Sequence, residues 1–67
     1  MRKALFPGSF DPFTLGHAAI VEDGLRLFDH IIVGIGVNSE KHGMLSIENR
    51  RRLVEDLYAG EPRISVD

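Results

Sequence analysis

The run Ile31-Ile32-Val33-Gly34-Ile35-Gly36-Val37 narrows the folds open to this chain more than any other stretch. Ile31, Ile32, Val33, Ile35 and Val37 are β-branched and no polar side chain interrupts them, so the run reads as a strand and not as a helix. A strand with one wet face alternates apolar and polar residues, and this one does not. It is therefore expected to be covered on both faces, as strands of a parallel sheet are. Parallel neighbours need crossover connections, which the flanking sequence must supply as helices.

The flanks meet that demand. Ala4-Leu5-Phe6 is a short apolar run closed by Pro7-Gly8, and it reads as strand one. From Gly16 onward, Ala18, Ala19, Ile20, Val21, Gly24, Leu25, Leu27 and Phe28 recur at helical intervals, which predicts a helix over 16–28 with Thr14 as its N-cap. Gly24 disfavours a helix interior by about 1 kcal/mol relative to Ala, and close packing against the sheet is its expected reason. Ser46 opens a second helix with Glu48 in its first turn and Leu53, Val54, Leu57 and Tyr58 as its apolar face, stopped by Ala59-Gly60 and Pro62. Arg63-Ile64-Ser65-Val66 begins a third strand. The order strand, helix, strand, helix, strand with right-handed crossovers is an α/β, Rossmann-like parallel sheet.

Ligands of such sheets bind at the carboxyl ends of the strands, which makes two loops the places to look. The first, Pro7 to His17, is bracketed by Pro7 and Pro12 and should be well determined. It brings Ser9 and His17 to the start of the first helix, where free N–H groups and the positive end of the helix dipole favour an anion. The second, Asn38 to Gly43, carries Lys41. His17 can donate to a phosphate oxygen, and Gly16 lets a phosphate approach the backbone. Read alone, His17 is also a helix-start residue that packs, Ser9 a turn residue, and Lys41 a solvated lysine. Asp11 before Pro12 fixes a turn rather than holding a metal. His30 and His42 read as structural or surface residues, and Arg50-Arg51-Arg52 as the solvated face of the second helix.

Composition removes several alternatives. With no cysteine among 67 residues, disulfides, thiolate zinc sites and thiol nucleophiles are excluded. A formal charge of −2 argues against a protein that grips nucleic acid by bulk electrostatics, so phosphate binding must be local. Neither a signal peptide nor a membrane span is legible in so short an apolar run, and an intracellular, cytoplasmic setting is the default.

The segment Gly8-Ser9-Phe10-Asp11-Pro12-Phe13-Thr14-Leu15-Gly16-His17 resembles the signature of the nucleotidyltransferase superfamily, whose (His/Thr)-x-Gly-His element is filled here by Thr14-Leu15-Gly16-His17. Within that superfamily the chain is most similar to the bacterial phosphopantetheine adenylyltransferases. That similarity extends over the opening Lys3-Ala4-Leu5-Phe6, the Phe28-Asp29-His30 step, and Glu40-Lys41-His42-Gly43-Met44-Leu45 leading to Glu48-Asn49-Arg50. The resemblance implies adenylyl transfer from ATP to 4′-phosphopantetheine, giving dephospho-coenzyme A and pyrophosphate without a covalent intermediate. It implies His17 as transition-state stabiliser and ATP ligand, Ser9 and Phe10 as ATP contacts with Ser9 also near the acceptor, and Lys41 on phosphopantetheine. Thr14 and Gly16 are supporting residues. Mg²⁺ would arrive with ATP, coenzyme A is a further ligand, and the intact enzyme is a homo-oligomer, a hexamer.

By the same resemblance, residues 1–67 are the incomplete amino-terminal portion of one nucleotidyltransferase domain. The family's later Ile-Ser-Ser-Thr-x-x-Arg motif and phosphate-binding arginines are not among them. Little or no catalysis is expected from these residues alone, and the first strand, central in the family, is expected to be an open edge. Another superfamily activity, a cytidylyltransferase or nicotinamide-mononucleotide adenylyltransferase, shares the first loop. A non-catalytic nucleotide-binding or assembly module is the other alternative.

Overall fold

The computed structural model describes residues 1–36 and 46–67 of the chain. Strand β1 (Lys3–Gly8), helix α1 (Leu15–Leu27), strand β2 (His30–Ile35), helix α2 (Ile47–Leu57) and strand β3 (Ile64–Val66) follow in the expected alternation. The strands form one parallel sheet in the order β1-β2-β3, with Ala4 opposite Ile31, Phe6 opposite Val33, and Ile31 and Val33 opposite Ile64 and Val66. β1 is thus an edge. The predicted boundaries shift little: β2 takes in His30 and β3 omits Arg63, while Val37 lies outside the described residues.

The pleat divides the apolar residues between two faces. Ala4, Phe6, Ile31, Val33, Ile35, Ile64 and Val66 point to one side, where Val21 of α1 and Val54 of α2 complete the core. Val21, Val33 and Val54 are fully buried. Leu5, Ile32 and Ser65 point to the other side, and Leu5 is 63% exposed there. This corrects the expectation that the central run is covered on both faces. Two right-handed crossovers that step across a sheet in the same direction lay both helices on the same side, so the described residues cover one face only.

Local chemistry explains the helices. Thr14 caps α1 and Ser46 caps α2, where the Ser46 hydroxyl accepts the Asn49 N–H at 3.1 Å. Glu48 occupies the first turn of α2. A side chain at Gly24 would meet Ile31 Cδ1 at 2.9 Å, so α1 lies against β2 where the chain has no Cβ. Gly60, at φ +87°, makes the turn after α2. The apolar face of α2 is narrower than predicted: Val54 is buried and Tyr58 half-buried, but Leu53 and Leu57 are 41% and 56% exposed. At the base of the sheet the His30 ring and the Ser65 hydroxyl hydrogen-bond at 2.9 Å, the structural role expected of that histidine. His42 lies outside the described residues. No helix among the described residues is long and apolar enough to cross a membrane.

Candidate functional site

The chain leaves β1 at Gly8 and enters α1 at Leu15, and the intervening loop is built around one aromatic ring. Phe10 is 3% exposed, with its ring 5.1 Å from Phe6, 5.3 Å from Phe13 and 5.0 Å from His17, centroid to centroid. A Cβ on Gly8 would lie 2.8 Å from the Phe10 ring, so glycine is required beneath it. Burying the ring holds Phe10 at φ +50°, in the left-handed region that a bulky residue adopts at a cost of about 1–2 kcal/mol. The Asp11–Pro12 peptide is cis.

His17 rests on this aromatic floor, 5.2 Å from the Phe13 ring and 6.1 Å from Phe6. Its imidazole is also held by the helix cap. The Thr14 N–H donates to His17 Nδ1 at 2.9 Å, and the His17 N–H donates to Thr14 Oγ1 at 3.5 Å. This reciprocal cap has the form of a capping box in which histidine replaces the usual glutamate. Because a backbone N–H can only donate, Nδ1 must carry the lone pair. In the neutral ring the proton is then on Nε2, which has no acceptor among the described residues and can donate to an incoming one.

The surroundings favour an anion. The N–H groups of Leu15 and Gly16 have no intrahelical acceptor, and the first turn of α1 contains no carboxylate to compete for its positive end. Among the described residues a Cβ at Gly16 would meet only Thr14 Oγ1, at 3.7 Å, so none of them demands glycine there. Ser9 is exposed beside the loop. Phe10 has its side chain in the core, which leaves only its main chain to meet a ligand.

Arg50 was legible only as part of a solvated arginine run, and the structure corrects that reading. It is 8% exposed, and it reaches back from α2 to the loop: Nη1 donates to the Ser9 carbonyl at 3.3 Å, and Nη2 meets Asp11 Oδ2 at 3.3 Å. The signal was available in the spacing. Arg50 precedes the buried Val54 by one helical turn and so shares its inward face, whereas Arg51 and Arg52 are exposed. Asp11 lies in a turn with Pro12, as expected, and the ion pair with Arg50 adds a second hold on the loop.

Ser9, Phe10, Thr14, Gly16 and His17 therefore gather at one end of the sheet, and Lys41 lies outside the described residues. Among the described residues no three His, Asp or Glu side chains come together as metal ligands, and Asp11 is engaged by Arg50. The protein groups described do not form a cage for Mg²⁺, an ion commonly held through substrate phosphates and water.

Residues 5–67 match the model of the cytidylyltransferase-like family. The chain is 56% identical over 66 residues to the phosphopantetheine adenylyltransferase of Flavobacterium johnsoniae, covering 98% of this chain and 43% of that protein. It is 52% identical to the phosphopantetheine adenylyltransferase of Bacteroides thetaiotaomicron, over 98% of this chain and 44% of the relative. With that of Anaeromyxobacter sp. (strain K) the identity is 42%, over 98% and 40%. The chain thus spans less than half the length of these curated relatives.

Proposed function

This chain belongs to the cytidylyltransferase-like family, and on that premise we propose that its β1–α1 loop is the nucleotide-binding part of an enzyme that transfers adenylyl from ATP to 4′-phosphopantetheine. An oxygen of the acceptor's phosphate attacks the α-phosphorus in line; that P–O bond forms as the bond to the β-phosphate breaks, yielding dephospho-coenzyme A and pyrophosphate. The protein's task is to position two anions and to neutralise charge on the transferring group. His17 donates from Nε2 to that group, Ser9 and the Phe10 main chain hold ATP, Ser9 also borders the acceptor, and Lys41 binds phosphopantetheine. Mg²⁺ is carried by the triphosphate, and no step is routed through it. Coenzyme A is a further ligand in this reading, the setting is cytoplasmic, and the assembly is a homohexamer.

The observation that carries the proposal is the Thr14 N–H on His17 Nδ1, which leaves Nε2 as the donor at an uncontested helix N-terminus. The likeness to phosphopantetheine adenylyltransferases supports the choice of acceptor. Turnover is proposed for a polypeptide of the relatives' length, and nucleotide binding for the loop described here.

The test is pyrophosphate release by the full natural polypeptide, with ATP or CTP and 4′-phosphopantetheine. Turnover with ATP is expected, and His17→Ala should lower kcat by about 10²–10³-fold, as loss of one donor to developing charge does elsewhere. A preference for CTP, or undiminished turnover without the imidazole, overturns it. Sedimentation of the same polypeptide checks the hexamer.

A further inference from the structure

Arg50 stands behind the loop, with two of its N–H groups turned to the loop's own backbone and carboxylate. We propose that Arg50 is a positioning residue for nucleotide binding, which clamps the Ser9–Phe10 peptide plane so that the Phe10 N–H is presented to a phosphate oxygen. The proposal rests on the reading of this loop as a nucleotide site and adds a residue to it.

The geometry runs through one peptide unit. The Ser9–Phe10 bond is trans, so its C=O and N–H point in opposite directions. Arg50 Nη1 holds the Ser9 oxygen, and the Phe10 N–H is thereby directed away from Arg50. No acceptor for that N–H is found among the described residues, although Phe10 is 3% exposed. An amide without a protein partner has an open donor, and a phosphate oxygen would satisfy it.

The same peptide is under strain. Phe10 is held at φ +50°, and rotation of the Ser9–Phe10 plane is the simplest way to return it to negative φ. That rotation would swing the N–H out of place. Two features oppose it: the Phe10 ring wedged among Phe6, Phe13 and His17, and the guanidinium on the Ser9 oxygen. The ion pair to Asp11 fixes the guanidinium itself, with both side chains largely buried. Arginine suits the task because its planar fork serves a carbonyl and a carboxylate together, which an ammonium does not.

Two substitutions separate this role from a merely structural ion pair. Arg50→Lys keeps a positive charge near Asp11 but gives up the fork, whereas Asp11→Asn breaks the ion pair and leaves the guanidinium free to hold Ser9. In the full natural polypeptide, ATP affinity measured by calorimetry should fall about tenfold or more for Arg50→Lys, the scale of one hydrogen bond to a charged group. For Asp11→Asn it should stay within about threefold, a difference well under that of one such bond. The three-bond couplings that distinguish positive from negative φ, read at Phe10 without nucleotide, should change for Arg50→Lys only. Affinity losses that simply follow the melting temperatures of both variants, or a Phe10 coupling set unchanged in Arg50→Lys, overturn the proposal. If the unaltered protein binds no ATP, the nucleotide reading fails, and the Phe10 couplings still decide whether Arg50 clamps the peptide.

Discussion

Tyr58 packs its ring edge-on against Phe13 and buries a hydroxyl that has no hydrogen-bond partner among the described residues. A buried unpaired hydroxyl is unfavourable by about 1–3 kcal/mol, so Tyr58→Phe should be neutral or stabilising by up to that amount near pH 7, read as a shift in the urea midpoint. Burial, and then the negative charge of Glu22, push the Tyr58 hydroxyl above its ordinary value of 10.0. The unfolded chain therefore ionises first. Stability from this group is complete below pH 10, declines as pH rises through the folded value, and the decline should be smaller in Tyr58→Phe. Thr14→Ala removes the hydroxyl that caps α1 and should destabilise by about 1 kcal/mol by the same measurement, while the Thr14 N–H to His17 survives. At this scale, Thr14 and His17 were legible because capping follows local rules. The inward face of Arg50 was open to its spacing from Val54, but its pairing with Asp11 was not legible, because a contact across 39 residues of sequence leaves no local pattern.

The helices carry their own test at Gly24. An alanine there gains about 1 kcal/mol of helix propensity but brings a methyl within 2.9 Å of Ile31 Cδ1, the flexible end of that side chain. Since Ile31 can swing aside, Gly24→Ala should remain within about 1 kcal/mol of the parent, whereas Gly24→Leu should lose about 1–3 kcal/mol or more through overpacking. Thermal unfolding of the two variants measures both. The elements were read closely from periodicity: α1 begins one residue before its expected start, and both N-caps are the residues named from sequence. Leu53 and Leu57 show where periodicity stops. A hydrophobic stripe tells which residues can be buried, but the width of the contact depends on what packs against it, and here that is a sheet of three strands.

For the molecule as a whole, the parallel sheet followed from the alternation of elements. The open face did not, because it depends on the direction in which successive crossovers step. In a polypeptide confined to these 67 residues, the β1 edge has no partner strand among the described residues and lies beside exposed Leu5, and unpaired edges invite association. It should sediment as dimers or larger species at micromolar concentration, and substituting Leu5→Lys should shift it toward monomer. A monomeric parent would contradict this. The Arg50 link has a further consequence for when the site comes into being. On the ribosome, Ser9, Phe10 and His17 emerge with the first strand and helix, but the arginine that braces them is made about forty residues later. The loop is thus shaped early and made rigid late. A nascent chain that has completed β2 already owns its imidazole, yet it becomes a ready receptor for nucleotide only when α2 has been synthesised and has docked.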